Sequence, residues 1–195
     1  MIDDDVVAAI KAGKPAIIPT DTVYGLVATP YHEDPVRRLY ELKGREEAQP
    51  TALVAADLDL LFECVPELRG RAGRIATQLL PGPYTLILSN PAKRYRWLNG
   101  TTPEKIGVRV PALSGDARAV LDRVGAVAAT SANLPGAPEP RTLAEVPEEL
   151  RAQVPALDGG ELPGIPSTVI DFTGPEPVVV REGAGDVEAA LAVVA

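Results

Sequence analysis

Short apolar runs recur along the chain, five to eight residues long and bounded by proline, glycine or polar residues. They are "PAIIP" at 15–19, "TALVAA" at 51–56, "YTLILS" at 84–89, "IGVRVP" at 106–111, "GAVAATSA" at 125–132, "STVIDF" at 167–172 and "PVVVRE" at 177–182. Runs this short and rich in Val, Ile and Leu read as strands. Helical spacing fills several of the gaps, at 58–62, 69–80, 115–124 and 186–194. Two more helices are expected near the start: "DDDVVAAIKAG", closed by Gly13, and "EDPVRRLYELKG", with Asp34 as N-cap, Pro35 at its first position and Gly44 just past its end. Strands and helices do not alternate strictly and no segment repeats, so the pattern predicts an α/β domain with a mixed sheet.

At 195 residues, 46% hydrophobic and 24% charged, the chain has enough apolar surface for one core, and residues 1–195 are expected to form a single domain. No run of apolar residues is long enough for a membrane span, and the acidic start "MIDDDVV" is opposite in sign to a secretory leader, so a cytoplasmic location is expected. One cysteine, Cys64, and one histidine, His32, exclude an internal disulfide and a Cys/His zinc cluster. A net charge of −8 argues against a protein whose main work is gripping phosphate backbones. The longest irregular stretch is read as "NLPGAPEPRT", 133–142, a surface loop or lid.

The chain has no GxxxxGK[ST], GxGxxG or GxSxG motif, and Ser131 in "TSAN" has no evident base to activate it, so covalent catalysis is not expected. What remains is a series of polar segments at strand ends: "PTDTVYGL", "KGREEAQP", "LPGPYTL", "GVRVP", "ATSAN", "PSTVID" and "VVREG". Strand ends are where open α/β sheets present ligand groups, and several such segments can converge on one cleft.

In their order and spacing these segments resemble the YrdC/Sua5/TsaC family of L-threonylcarbamoyladenylate synthases, over essentially the whole chain. The resemblance implies a single YrdC-like domain, a twisted mixed open sheet flanked by helices with a concave substrate cleft, in the short form without the C-terminal Sua5 extension. It implies the reaction of L-threonine, bicarbonate or CO2, and ATP to threonylcarbamoyl-AMP and pyrophosphate, the first step towards the t6A nucleoside of tRNA. Mg2+ would be carried by the nucleotide. A TsaD-type transferase complex would collect the product, with weak or no direct tRNA binding and no membrane association. Positioning and electrostatics suffice for such chemistry, which needs no protein nucleophile.

By the same resemblance, Thr22, Tyr24, Arg109, Ala129 and Ser167 belong to the threonine site. Lys43, Arg45 and Ser131 carry the catalytic roles, and Arg45, Gln49, Lys105, Ser131, Glu139 and Arg181 contact ATP. Gly183 and Gly185 allow close backbone approach beside Arg181. Four positions depart from the family pattern: Gln49, Val54, Lys105 and Glu139 stand where an asparagine, a histidine, a hydroxyl-bearing residue and a serine are usual. The alternatives are an RNA-binding or ribosome-assembly module without synthase activity, a carbamoyl-adenylating domain of the hydrogenase-maturation type, and an inactive homologue.

Overall fold

The computed structural model describes residues 4–44, 46 and 48–194. Eight strands form one open mixed sheet: β1 (Ala16–Pro19), β2 (Tyr24–Ala28), β3 (Ala52–Ala55), β4 (Tyr84–Ser89), β5 (Lys105–Arg109), β6 (Ala126–Ser131), β7 (Thr168–Asp171) and β8 (Val178–Arg181), in the order β1-β2-β6-β3-β5-β4-β7-β8. The β3/β5 and β4/β7 pairs are parallel and the other five are antiparallel. Seven helices flank it: α1 (Asp4–Lys11), α2 (Glu33–Lys43), α3 (Leu58–Cys64), α4 (Gly70–Leu79), α5 (Gly115–Val124), α6 (Glu148–Arg151) and α7 (Val187–Ala192).

Period-two alternation divides the side chains between two faces. Leu26, Leu53, Leu86, Leu88, Ile106, Val108, Ala128 and Ile170 point to one face and form a core with α2, α3 and α4. Ile18, Val27, Val54 and Val127 point to the other, where α1 and α5 cover them through Val6, Val7, Ile10, Val120 and Leu121. That second cover reaches only part of the sheet. Beyond it, Thr85, Ile87, Lys105, Gly107, Arg109, Ala129, Ser131, Val169 and Asp171 of the same face line an open cleft.

The structure corrects the sequence reading in three places. β2 is not among the strand-like runs of the sequence, its first residues lying in the polar segment "PTDTVYGL", yet all five of its residues are buried. A strand covered on both faces shows no alternation, and the preceding Pro-Thr-Asp resembles a turn. Helix α2 begins one residue before Asp34, with His32 at the N-cap position, so Asp34 and Pro35 lie in the first turn. There a carboxylate complements the exposed N–H groups and a proline loses no intrahelical bond. Finally, the longest irregular stretch is not 133–142 but the connection between α6 and β7, 152–167. Its turn residues were legible, but it is held by tertiary hydrogen bonds that no local pattern encodes.

Candidate active site

The cleft has a volume of about 460 Å³. Its floor is the uncovered sheet face, and its walls come from the 20–23 turn, the 50–52 entry to β3, the 99–102 turn and Pro166–Ser167.

Arg109 ends β5 with only 8% of its surface exposed. Its Nη2 donates to Asp21 Oδ1 and to Thr22 Oγ1, the latter at 2.8 Å. Asp21 Oδ2 in turn accepts from the backbone N–H of Ala112 at 3.0 Å, and Thr22 Oγ1 lies 3.0 Å from Thr20 Oγ1. Burial pushes the Arg109 pKa down, the Asp21 carboxylate counters this, and nearby Arg181 adds to the depression. Arg109 Nε has no hydrogen-bond partner among the described residues. The turn therefore grips a buried guanidinium that also lines the cleft.

Ser167 closes the same region. Its hydroxyl lies 2.8 Å from Thr85 Oγ1, and Arg181 Nη2 donates to both Ser167 O (2.9 Å) and Ser167 Oγ (3.2 Å). Gly183 is required here for a steric reason: a Cβ would stand 2.1 Å from the carbonyl oxygen of Pro166. The close approach expected of Gly183 and Gly185 is thus to the chain itself, Gly185 lying under the ring of Tyr84.

Lys43, at the end of α2, is 5% exposed and enters the "TSAN" segment from behind. Its Nζ donates to Ser131 O (2.6 Å), Asn133 O (2.9 Å) and Asn133 Oδ1 (2.6 Å), and sits 3.2 Å from Ser131 Oγ. Ser131 Oγ donates to Asn133 Oδ1 at 2.6 Å, and Asn133 Nδ2 to Ala137 O at 2.5 Å. The root of the 133–142 loop is therefore locked to α2, and its far end is tied by the Arg141–Glu161 ion pair and by Tyr24 N–H donating to Pro140 O at 3.1 Å.

Of the residues expected at the site, Lys105, Arg109, Ala129, Ser131, Ser167 and Arg181 line the cleft. Thr22 lies immediately behind it, on Arg109. Tyr24 does not face it. That side chain is fully buried in the opposite core, where its hydroxyl donates to Gly160 O (2.8 Å) and Asp158 Oδ1 (3.1 Å) and accepts from Gly159 N (2.9 Å). Alternation along β2 is the reason: Gly25 takes the cleft face and Tyr24 the other. Lys43, Gln49 and Glu139 are also not among the lining residues, and Arg45 lies outside the described residues. Lys105 pairs with Asp171 across the cleft floor, Nζ to Oδ2 2.7 Å. Partial burial works to raise the Asp171 carboxyl, but the Lys105 and Thr173 donors outweigh it and hold its pKa below the usual value. Sequence reasoning did not single out Asp21, Thr85 or Asp171. Asp21 and Asp171 lie inside quoted motifs, but only tertiary pairing distinguishes them from turn and strand-end polar residues.

The profile of the Sua5/YciO/YrdC family, described as telomere recombination, matches residues 8–183. The chain belongs to this family. It is 35% identical over 176 residues to the threonylcarbamoyl-AMP synthase of Pyrococcus abyssi, an alignment covering 89% of this chain and 52% of that protein. The crystal structure of P. abyssi Sua5 complexed with L-threonine superposes with a TM-score of 0.88 at 33% identity, over 97% of this chain and 56% of that one. E. coli YciO superposes with a TM-score of 0.83 at 31% identity, over 95% of this chain and 91% of that one. The chain thus spans about half the length of its P. abyssi relative and nearly all of YciO. The open mixed sheet with flanking helices is the architecture this Sua5/YciO/YrdC chain shares with both.

Proposed function

We propose that this chain is a threonylcarbamoyl-AMP synthase. The observation that carries the reading is the buried Arg109, a cleft-lining residue fixed by Asp21 and Thr22 with an unpartnered Nε, in a chain similar to a Sua5 whose structure is described as complexed with L-threonine. A buried guanidinium with spare donors suits a carboxylate, and the hydroxyls of Thr22 and Ser167 suit the remaining polar groups of the amino acid. In the proposed reaction the threonine amine adds to CO2 and loses a proton, giving an N-carboxylate. One oxygen of that carbamate attacks the α-phosphorus of ATP, the bond to the bridging oxygen breaks, and pyrophosphate leaves with the electron pair. The chain positions the two substrates and offsets the phosphate charge with Arg181 and Arg45, while Lys43 holds Ser131 in place from behind; no side chain becomes covalently modified.

Among the described residues no group of three or more His, Cys, Asp or Glu side chains is arranged to hold a metal ion. In this reading Mg2+ arrives on the triphosphate. Ser131, held by Lys43 and Asn133, contacts the nucleotide in this reading, as do Gln49 and Glu139 should 133–142 fold over it. Residues 1–195 act as one YrdC-like domain, in the cytoplasm, and hand the labile product to a TsaD-type transferase complex. No helix of the described residues is long and apolar enough to cross a membrane.

The test is to incubate the purified chain with ATP, magnesium, bicarbonate and labelled threonine, and to follow threonylcarbamoyl-AMP chromatographically. Product and pyrophosphate should form together and should need both threonine and bicarbonate. Equal pyrophosphate release in bicarbonate-free buffer overturns the reading. Serine should be used less well, since a lost methyl contact is worth about 1–3 kcal/mol.

A further inference from the structure

The cleft extends past the Arg109 region along β5. Lys105 and Arg109 point to the same face and are four residues apart, or about 13 Å at ~3.3 Å per residue. The register that pairs Leu53 with Val108 carries Thr51 to the Lys105 end. There the 98–102 turn is fastened on both sides: Thr51 N–H donates to Leu98 O at 2.8 Å, and Lys105 N–H to Thr102 O at 3.0 Å.

Two side chains at this end are more than nine-tenths buried, line the cleft and have an unpartnered polar atom: Thr51 (4% exposed) at Oγ1 and Asn99 (2% exposed) at Oδ1. The Asn99 amide is oriented by its other half, because Nδ2 donates to Arg94 O at 3.1 Å and leaves Oδ1 as a pure acceptor. Burying such atoms without partners is costly, so a structure that keeps two of them at one end of a cleft is built for a ligand that pairs them. An acceptor and a hydroxyl, with the carboxylate of Asp171 on the adjoining floor, do not suit a phosphate, which carries no donors. They suit the neutral end of a nucleotide.

We infer that Asn99 and Thr51 form a purine subsite that reads a 6-amino group beside a ring nitrogen: Asn99 Oδ1 accepts from the exocyclic amine, and the Thr51 hydroxyl donates to the adjacent ring nitrogen. This rests on the reading of ATP as the nucleotide and assigns the residues that choose adenine. A 6-oxopurine places a carbonyl oxygen against Asn99 Oδ1, two acceptors facing each other, while the Thr51 hydroxyl turns to accept from the ring N–H, so Asn99 is the residue that discriminates. Pro50 and Ile87, which also line the cleft, supply apolar surface beside the polar pair.

Calorimetric binding of ATP, inosine triphosphate and purine riboside triphosphate, without threonine or bicarbonate, tests the subsite independently of product formation. The folded wild-type chain should prefer ATP to inosine triphosphate by on the order of 100-fold, as sites built around buried polar groups reject a mismatched analogue. Purine riboside triphosphate, lacking only the amine, should bind about tenfold more weakly than ATP. Asn99→Leu should narrow the preference for ATP over inosine triphosphate about tenfold, and Thr51→Val, which keeps shape and removes the hydroxyl, should weaken the binding of ATP about tenfold. Their threonine KM should stay unchanged. The Asn99 variant is checked for folding by thermal melting, and the Thr51 variant decides alone if it fails. Equal wild-type affinity for the two triphosphates, an unchanged ratio in the folded Asn99 variant, or unchanged ATP affinity in the Thr51 variant overturns the subsite. Absence of threonylcarbamoyl-AMP with the preference intact would overturn the synthase reading and leave the subsite standing.

Discussion

Asp21 and Arg109 are each about one-tenth exposed at the side chain, and their ion pair is the most buried of those among the described residues. Removing one charge from such a pair leaves the other in a poor solvent, so Asp21→Asn should destabilise the fold by about 3–5 kcal/mol in urea unfolding at neutral pH. It should also raise the KM for threonine, because a guanidinium no longer held at two points loses its aim. An unchanged unfolding midpoint would show that the pair is already wet. Asp171 makes the contrasting case. Its folded pKa lies below the usual carboxylate value, so its pairing with Lys105 contributes stability above the unfolded pKa, and that contribution is lost as pH falls through the folded pKa. Lys105→Met should move the Asp171 titration upward in carbon-detected NMR. The stability difference between the variant and wild type should be present at neutral pH and vanish once acid has protonated Asp171 in both.

At the scale of elements, the polar residues of "PTDTVYGL" serve two faces of one strand. Thr20 and Val23 line the cleft, while Tyr24 passes through to the far side and fastens the 152–167 connection by its hydroxyl. That connection also pairs with β1, through Ile17 N–H to Pro155 O and Leu157 N–H to Ile17 O, both 2.9 Å, and returns to the turn through Gly164 N–H to Thr22 O, 2.9 Å. It then delivers Ser167 into the cleft. Tyr24→Phe should therefore act at a distance. The loss of a buried hydroxyl with three partners should cost about 1–3 kcal/mol. Amide exchange at Gly159 and Gly164 should quicken, and threonine KM should rise while ATP affinity holds. An equal effect on both substrates would mean general loosening and not the positioning of Ser167.

The whole molecule is acidic, at −8, and six of its surface arginines are matched: Arg37, Arg94, Arg118, Arg123, Arg141 and Arg151 each lie against a carboxylate. Exposed pairs of this kind add little stability, but they tie up cations that would otherwise displace the counterions of a nucleic acid. Transfer RNA should therefore bind the chain no more tightly than about 10 μM in physiological salt, with a shallow dependence on salt concentration. Submicromolar binding in a filter assay would revive the RNA-binding alternative.

Seven of the eight strands and the longer helices were legible because each announces itself locally, by a short run of Val, Ile and Leu or by 3.6-residue spacing with a glycine beyond the end. The segments that meet at the cleft were legible too, as polar groups placed where apolar strands stop. Which polar group does what was not. The choice between the faces of β2 separates Gly25 from Tyr24, yet it depends on which side the helices cover. Asp21 meets Arg109 across 88 residues, Lys105 meets Asp171 across 66, and Thr51 meets the Asn99 turn only because β3 and β5 run parallel. Backbone propensity and hydrophobic period act over a few residues and are written in the chain. Burial, charge pairing and the direction of a side chain arise from contacts between distant segments, and these exist only once the sheet has closed on its core.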